Sequence, residues 1–164
     1  MSSASEFATP QEAANDPRIL VFGRLLGAAN RLEYILGHEL EAETGLSHSV
    51  FELLLVVGRA GPGGVPVRDI AQARVLTSGG ATRLVHRAAE QGLIVRSASA
   101  QDARVQLVEL TEAGARALLA ASALHARNVE RYLLDVLPPD QAAVFAEAIR
   151  TLSVNAARAL PVMP

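Results

Sequence analysis

The pattern of residues 67–110 constrains the fold of this chain more than any other feature. Two short helical segments are separated by a break near Arg74, and the second, capped by Thr77 or Ser78, ends at Gly92. An apolar run, a polar tip of sequence SAQD and a second apolar run follow, which is the pattern of a β-hairpin. A helix-turn-helix followed by a hairpin predicts a winged helix.

The second of these helices divides into two faces on a helical wheel of about 100° per residue. Arginine can pair with guanine and threonine can contact a base edge or a thymine methyl, so the polar face is suited to reading DNA. A solvated arginine face on a surface helix explains the same residues equally well. The inward positions are Ala81, Leu84, Val85 and Ala88, and the outward positions are Gly79, Arg83, His86 and Glu90, with Thr82 and Arg87 at the flanks.

Charge is concentrated in the same region. The 164 residues carry a net charge of −2, but residues 66–110 contain six arginines against four acidic residues. Residues 1–65 contain four arginines against eight acidic residues, and the remainder is balanced. Contacts with nucleic acid are therefore expected from the middle of the chain, where Arg104 in the polar tip would reach a minor groove. Asp102 would orient its guanidinium through a charge-assisted pair.

Both ends of the chain have helical patterns. Apolar residues recur at spacings of three and four over residues 16–44, and a second helix follows with Ser47 or Ser49 as its cap. Later helices begin at Thr111 and near Asp140. Their apolar surface exceeds what the middle lobe needs, which predicts a second copy of the chain as partner. The predicted segments are a disordered tail (1–15), an N-terminal dimerisation helix (16–46), a winged helix-turn-helix DNA-binding lobe (47–110) and C-terminal dimerisation helices (111–164).

Several function classes are disfavoured. The absence of cysteine removes disulfides, thiolate metal sites and thiol-based sensing. The longest apolar run is far below the ~20 residues of a membrane span, and no export signal is recognisable, so we expect a soluble cytoplasmic protein. The histidines have no metal-ligand spacing, and Ser47, His48 and Ser49 would point apart on a helix, so neither a metal, a cofactor nor an enzyme is expected.

The segment TRLVHRAAEQGLIVRSASAQDARVQLVELTEAG resembles the MarR family of bacterial transcription regulators. The family shares a T-R-L-V-x-R helix, a G-L-V-x-R strand, a D-x-R wing and an L-T-x-x-G helix start. This chain departs from the pattern at His86, where an acidic residue is usual, and at Ala88 and Ala89, which replace a leucine-containing pair. The matching positions are Thr82, Arg83, Leu84, Val85, Arg87, Gly92, Leu93, Arg96, Asp102, Arg104, Leu110, Thr111 and Gly114.

The resemblance implies a homodimeric regulator of transcription, a repressor released by a ligand, whose winged lobes enter successive major grooves of a pseudo-palindromic operator. The major groove would be contacted by Gly79, Thr82, Arg83 and His86, and phosphate or sugar by Arg68, Ser78, Arg87 and Arg96. A small aromatic or phenolic anion would bind near Arg24, Arg31, Tyr34, His38 and His48, although ordinary contacts between helices also explain these residues. The alternative is a winged-helix module that binds protein and not DNA.

Overall fold

The computed structural model describes residues 7–99, 101–102 and 104–160. The chain divides into two compact units, residues 1–35 and residues 36–164. The fold is mainly helical with one small antiparallel sheet, which confirms the predicted fold class. The elements are α1 (Pro10–Ala14), α2 (Pro17–Thr44), α3 (His48–Ala60), β1 (Val65–Pro66), α4 (Val67–Ala73), α5 (Ser78–Glu90), β2 (Ile94–Ala98), β3 (Gln106–Leu110), α6 (Glu112–Val129), a π-helical turn (Glu130–Leu134) and α7 (Ala142–Ala159).

The first unit contains α1 and the first part of α2. The predicted disordered tail includes residues 1–6, which lie outside the described residues, but the structure differs from the prediction after them because Pro10–Ala14 is helical. The Thr9 hydroxyl caps this short helix by accepting the Glu12 N–H at 3.1 Å. Apolar side chains on the first turns of α2 remain exposed, namely Ile19, Val21, Phe22, Leu25 and Leu26.

The core of the second unit is built around α3. Phe51, Leu53 and Leu54 are at most 1% exposed, because the apolar positions of this helix recur on a face that packs against α5, α6 and β3. Ser47 precedes α3 as predicted, but its side chain makes no capping hydrogen bond. The remaining fully buried members of the core include Leu40, Val50, Ile70, Ala81, Ala88 and Val108.

The helix-turn-helix consists of α4 and α5. Thr77 is the N-cap of α5, where its hydroxyl accepts the Gly80 N–H at 3.2 Å. All four residues predicted to face inward on this helix are buried, so α5 is fixed to the core through one side only. The connecting turn contains Val75 with φ of 53°, a left-handed conformation that is unfavourable for a β-branched residue.

The sheet has three antiparallel strands in the order β1-β3-β2. The predicted hairpin is formed by β2 and β3, with Arg96 paired to Val108. The third strand, Val65–Pro66, pairs with the other edge of β3 and was not predicted, since two residues are too few to show alternation. Val108, where the alternation of the sequence fails, is buried in the central strand.

A compact corner joins α5, β2 and α6. Gly92 ends the helical run with φ of 69°, and its carbonyl accepts the Thr111 hydroxyl at 2.7 Å. The Thr111 amide donates to the Leu93 carbonyl at 3.0 Å, and the Thr111 side chain in turn accepts the Gly114 N–H at 2.9 Å. Thr111 therefore both caps α6 and fixes the position of β2 relative to it.

The last helix differs in its start from the prediction, because α7 begins at Ala142 and Asp140 precedes it. None of the residues of α7 is buried. No helix in the described parts of the chain is long and apolar enough to cross a bilayer. The exposed apolar side chains of α7 include Val144, Ile149, Leu152 and Val154.

Candidate nucleic-acid interface

The outward face of α5 is exposed over its whole length. Arg83 and Arg87 form no ion pair with any described residue, so both guanidinium groups are open to an external partner. His86 lies on the same face with Nδ1 3.2 Å from Oε2 of Glu90, one helical turn later. Ser78 and Gly79 are exposed in the first turn, where free backbone N–H groups attract anions.

Three of the predicted arginines line one groove between α5 and the hairpin. Arg68 at the start of α4, Arg96 on β2 and Arg104 in the tip surround a cavity of about 400 Å³. Thr82 of α5 lines the same groove. The structure therefore brings together four residues that the sequence places on four different segments. Its apolar lining consists of Pro66, Val67, Val85 and Val105.

The positive charge of this groove is largely uncompensated, because its arginines have few acidic partners. Arg68 is exposed and lies with Nε 3.3 Å from the Asp69 carboxylate, its chain neighbour. Within the described residues, the guanidinium groups of Arg96 and Arg104 have no carboxylate partner. Gln106 also lines the groove and was not predicted, although its spacing of two from Arg104 would place both side chains on one side of an extended strand.

The hydroxyl of Thr82 is turned back onto its own helix. Its Oγ1 donates a hydrogen bond of 2.9 Å to the carbonyl oxygen of Ser78, four residues earlier. The only hydrogen of the hydroxyl is thus engaged within α5, while the residue as a whole remains exposed.

Asp102 contacts the backbone, and not the side chain, of Arg104 in this structure. Its carboxylate accepts the backbone N–H of Arg104 at 2.9 Å, and the Asp102 carbonyl accepts the Val105 N–H at 2.9 Å. No ion pair joins the two side chains in the described part of the tip. Asp102 therefore shapes the turn from which Arg104 projects, as an Asx turn does, and leaves the guanidinium unpaired.

The predicted effector residues lie in separate places. Arg24 and Arg31 line a shallow groove of about 600 Å³ along α2 in the first unit, where an Arg31 N–H donates to the Gly27 carbonyl at 2.9 Å. Tyr34 and His38 are exposed on α2, in the first and second unit respectively. His48 is half-buried at the start of α3.

His48 belongs to a polar cluster in the second unit. Its ring centroid is 5.7 Å from that of His125, which also packs on Phe51 at 5.0 Å. Glu52 lies 3.8 Å from the Nδ1 of His48 and forms an ion pair with Arg74. Burial, and secondarily the charge of His48, lowers the pKa of His125 below its ordinary value. His125 cannot be selected from the sequence alone, because its partners His48 and Phe51 come from a different helix.

The lobe that carries this groove matches the model of a known protein family. Residues 44–105 match the model of the MarR family. This part of the chain is therefore similar to the MarR family. The match includes α3, the helix-turn-helix and β2, and ends before the L-T-x-x-G start of α6; the predicted resemblance to the MarR family is confirmed.

Solved structures of MarR family proteins share the fold of this chain. A MarR family transcriptional regulator from Streptomyces coelicolor, Sco3205, solved in complex with DNA, is 23% identical over 92% of this chain and 94% of its own, with a TM-score of 0.77. A MarR mutant from E. coli complexed with operator DNA is 20% identical over 82% and 95%, with a TM-score of 0.71. CouR from Rhodococcus jostii, bound to p-coumaroyl-CoA, is 24% identical over 80% and 90%, with a TM-score of 0.69. No curated protein matches the chain in sequence.

Proposed function

We propose that this protein is a sequence-specific transcription regulator of the MarR family that binds double-stranded DNA through α5 and the hairpin. The groove lined by Arg68, Arg96 and Arg104 carries the proposal. A sugar-phosphate strand separates the major groove from the minor groove, so a protein that reads both must accommodate a phosphate strand between its two reading elements. Three arginines between α5 and the tip supply the charge for that strand.

Each arginine then has a distinct role. Arg83 on the open face of α5 is placed to contact base edges, and Arg87 to contact phosphate. Arg104, with its backbone amide held by Asp102, enters the minor groove, where a narrow groove attracts guanidinium groups. The DNA complexes of Sco3205 and of the E. coli MarR mutant support this arrangement, because their fold is shared.

The functional unit that we propose is a homodimer. Exposed apolar side chains on α2, such as Phe22 at 65%, and on α7, such as Val144 at 69%, leave two helices with uncovered surface. A second copy that covers them would present two lobes to half-sites about 10 bp apart, and hence to a pseudo-palindrome. Sedimentation at micromolar concentration tests this: a dimer is expected, and a monomer contradicts the assignment of these faces.

We also propose that a small-molecule effector releases the protein from DNA. The protein would then act as a repressor in a bacterial cytoplasm. The p-coumaroyl-CoA complex of CouR supports an aromatic, anionic ligand. His38 and His48, both in the second unit, are its candidate contacts. We expect such an acid to abolish operator binding by wild type. The His48→Ala variant should still bind the operator when the acid is present.

Selection of bound sequences from a random duplex pool at fixed salt tests the main proposal. Wild type should enrich a pseudo-palindrome that Arg83→Ala and Arg104→Ala fail to enrich. Arg87→Ala should weaken binding to all sequences alike and reduce the slope of log affinity against log salt by about one. Arg116→Ala on α6, whose guanidinium is paired with Glu112, is the matched control and should bind as wild type.

The second candidate function is a winged-helix module that binds another protein. Normal folding with no enrichment of any duplex, even at low salt, would favour this candidate. The three clustered arginines favour DNA, because its phosphates supply the negative charge that this groove lacks.

A further inference from the structure

We propose that Thr82 reads a thymine through its methyl group and not through its hydroxyl. This inference rests on the proposed DNA-binding function and deepens it by naming the base. Threonine can in general use either group on a base edge, since its hydroxyl donates and accepts hydrogen bonds and its γ-methyl contacts the thymine C5-methyl. In the structure, a hydrogen bond within α5 engages the Thr82 hydroxyl and leaves the methyl group available.

The hydroxyl is committed to the helix. The 2.9 Å hydrogen bond from Oγ1 of Thr82 to the Ser78 carbonyl uses the only hydrogen that the side chain can donate. The base acceptors of the major groove are N7 and O6 of guanine, N7 of adenine and O4 of thymine, and none of them can be bound without breaking this bond. The side chain therefore offers a base its methyl group and an acceptor lone pair.

The surroundings select the methyl contact over the acceptor. Thr82 lies on α5, whose open face enters the major groove in the proposed complex, while the arginine-lined groove holds the phosphate strand. A thymine methyl in contact with the Thr82 methyl is removed from water, which is favourable. An adenine or cytosine amino group in the same place would lose water on its remaining donor side without a replacement.

Paired substitutions in the protein and in the DNA test the assignment. Thr82→Ser keeps the hydroxyl and removes the methyl, whereas Thr82→Val keeps the methyl and removes the hydroxyl. Deoxyuridine in place of thymidine removes only the C5-methyl from the operator selected by wild type. Thr9→Ser, which keeps the hydroxyl that caps α1, is the control for a methyl lost outside the DNA-binding lobe and should leave the affinity unchanged.

We expect one thymine in each half-site at which deoxyuridine lowers wild-type affinity about fourfold, the equivalent of about 0.8 kcal/mol for a buried methyl-sized group. Thr82→Val should show the same loss on deoxyuridine and bind the thymine operator as wild type does. Thr82→Ser should bind the thymine operator about fourfold more weakly and be indifferent to deoxyuridine.

Retention of affinity by Thr82→Ser together with its loss in Thr82→Val would make the hydroxyl the reading group and overturn the inference. So would an operator in which no thymine is sensitive to loss of its methyl. Both results leave DNA binding intact, so they differ from a failure of the proposed function. That failure would be the absence of any enriched duplex, and it would overturn the proposed function and this inference together.

Discussion

Gly114 occupies a position where one added methyl group should destabilise the protein. A Cβ at this residue would lie 1.8 Å from the carbonyl oxygen of Leu93 and 2.8 Å from its carbonyl carbon. Both atoms belong to the backbone, so no side-chain rotation can relieve the contact. Separating them to van der Waals distance requires a displacement of roughly 1.5 Å at the corner that joins β2 to α6.

The magnitude follows from three contributions to the free energy of unfolding. Replacing a helical glycine by alanine ordinarily stabilises by about 1 kcal/mol. Overpacking costs about 1–3 kcal/mol. Displacement of the Leu93 carbonyl also weakens the hydrogen bond that it accepts from Thr111, a loss of about 1 kcal/mol. We expect Gly114→Ala to lower the free energy of unfolding by about 1–3 kcal/mol, opposite in sign to the usual substitution.

Urea unfolding at fixed protein concentration, followed by circular dichroism, measures this difference. Gly79→Ala is the matched control, because Gly79 is also helical and a Cβ there would meet nothing within 4 Å. The control should be at least as stable as wild type. A Gly114→Ala protein with a denaturant midpoint equal to or above that of wild type would refute the reasoning.

Three further predictions concern single side chains. Asp102→Asn keeps an oxygen that can accept the Arg104 N–H and should retain operator affinity within about twofold. Asp102→Ala removes this acceptor and should lose affinity severalfold. Equal losses of affinity in the two variants would instead support the ion pair with the Arg104 guanidinium that the sequence suggested. Val75→Asn should raise the free energy of unfolding by about 1 kcal/mol, since asparagine tolerates the left-handed conformation, and an unchanged midpoint in urea would show that Val75 is unstrained. The pKa of His125 is lowered by burial, so the folded state binds a proton less readily than the unfolded state, and stability should fall as pH decreases below about 6.5. His125→Gln should flatten this dependence between pH 7.5 and pH 5.5, and an unaltered slope would assign it to other groups.

Much of the fold could be predicted from local sequence pattern. The inward face of α5 was predicted residue by residue because helical periodicity fixes which side chains share a face, and one such face must be buried. The hairpin was predicted from two apolar runs around a polar tip. β1 could not be predicted, because its pairing to β3 depends on a partner more than forty residues away in the chain and not on any repeat of its own.

The sequence by itself determined the helix-turn-helix, the hairpin, the basic middle of the chain and the residues of the outward face, because these depend on spacing and residue type over a few turns. Only the tertiary structure decided that Arg68, Thr82, Arg96 and Arg104 line one groove, since their proximity results from packing of α4, α5 and the hairpin on a common core. It also decided that Asp102 binds a backbone amide and that the Thr82 hydroxyl binds Ser78. Each of these side chains has several chemically suitable partners within a few residues, and the local backbone conformation determines which of them lies within hydrogen-bonding distance.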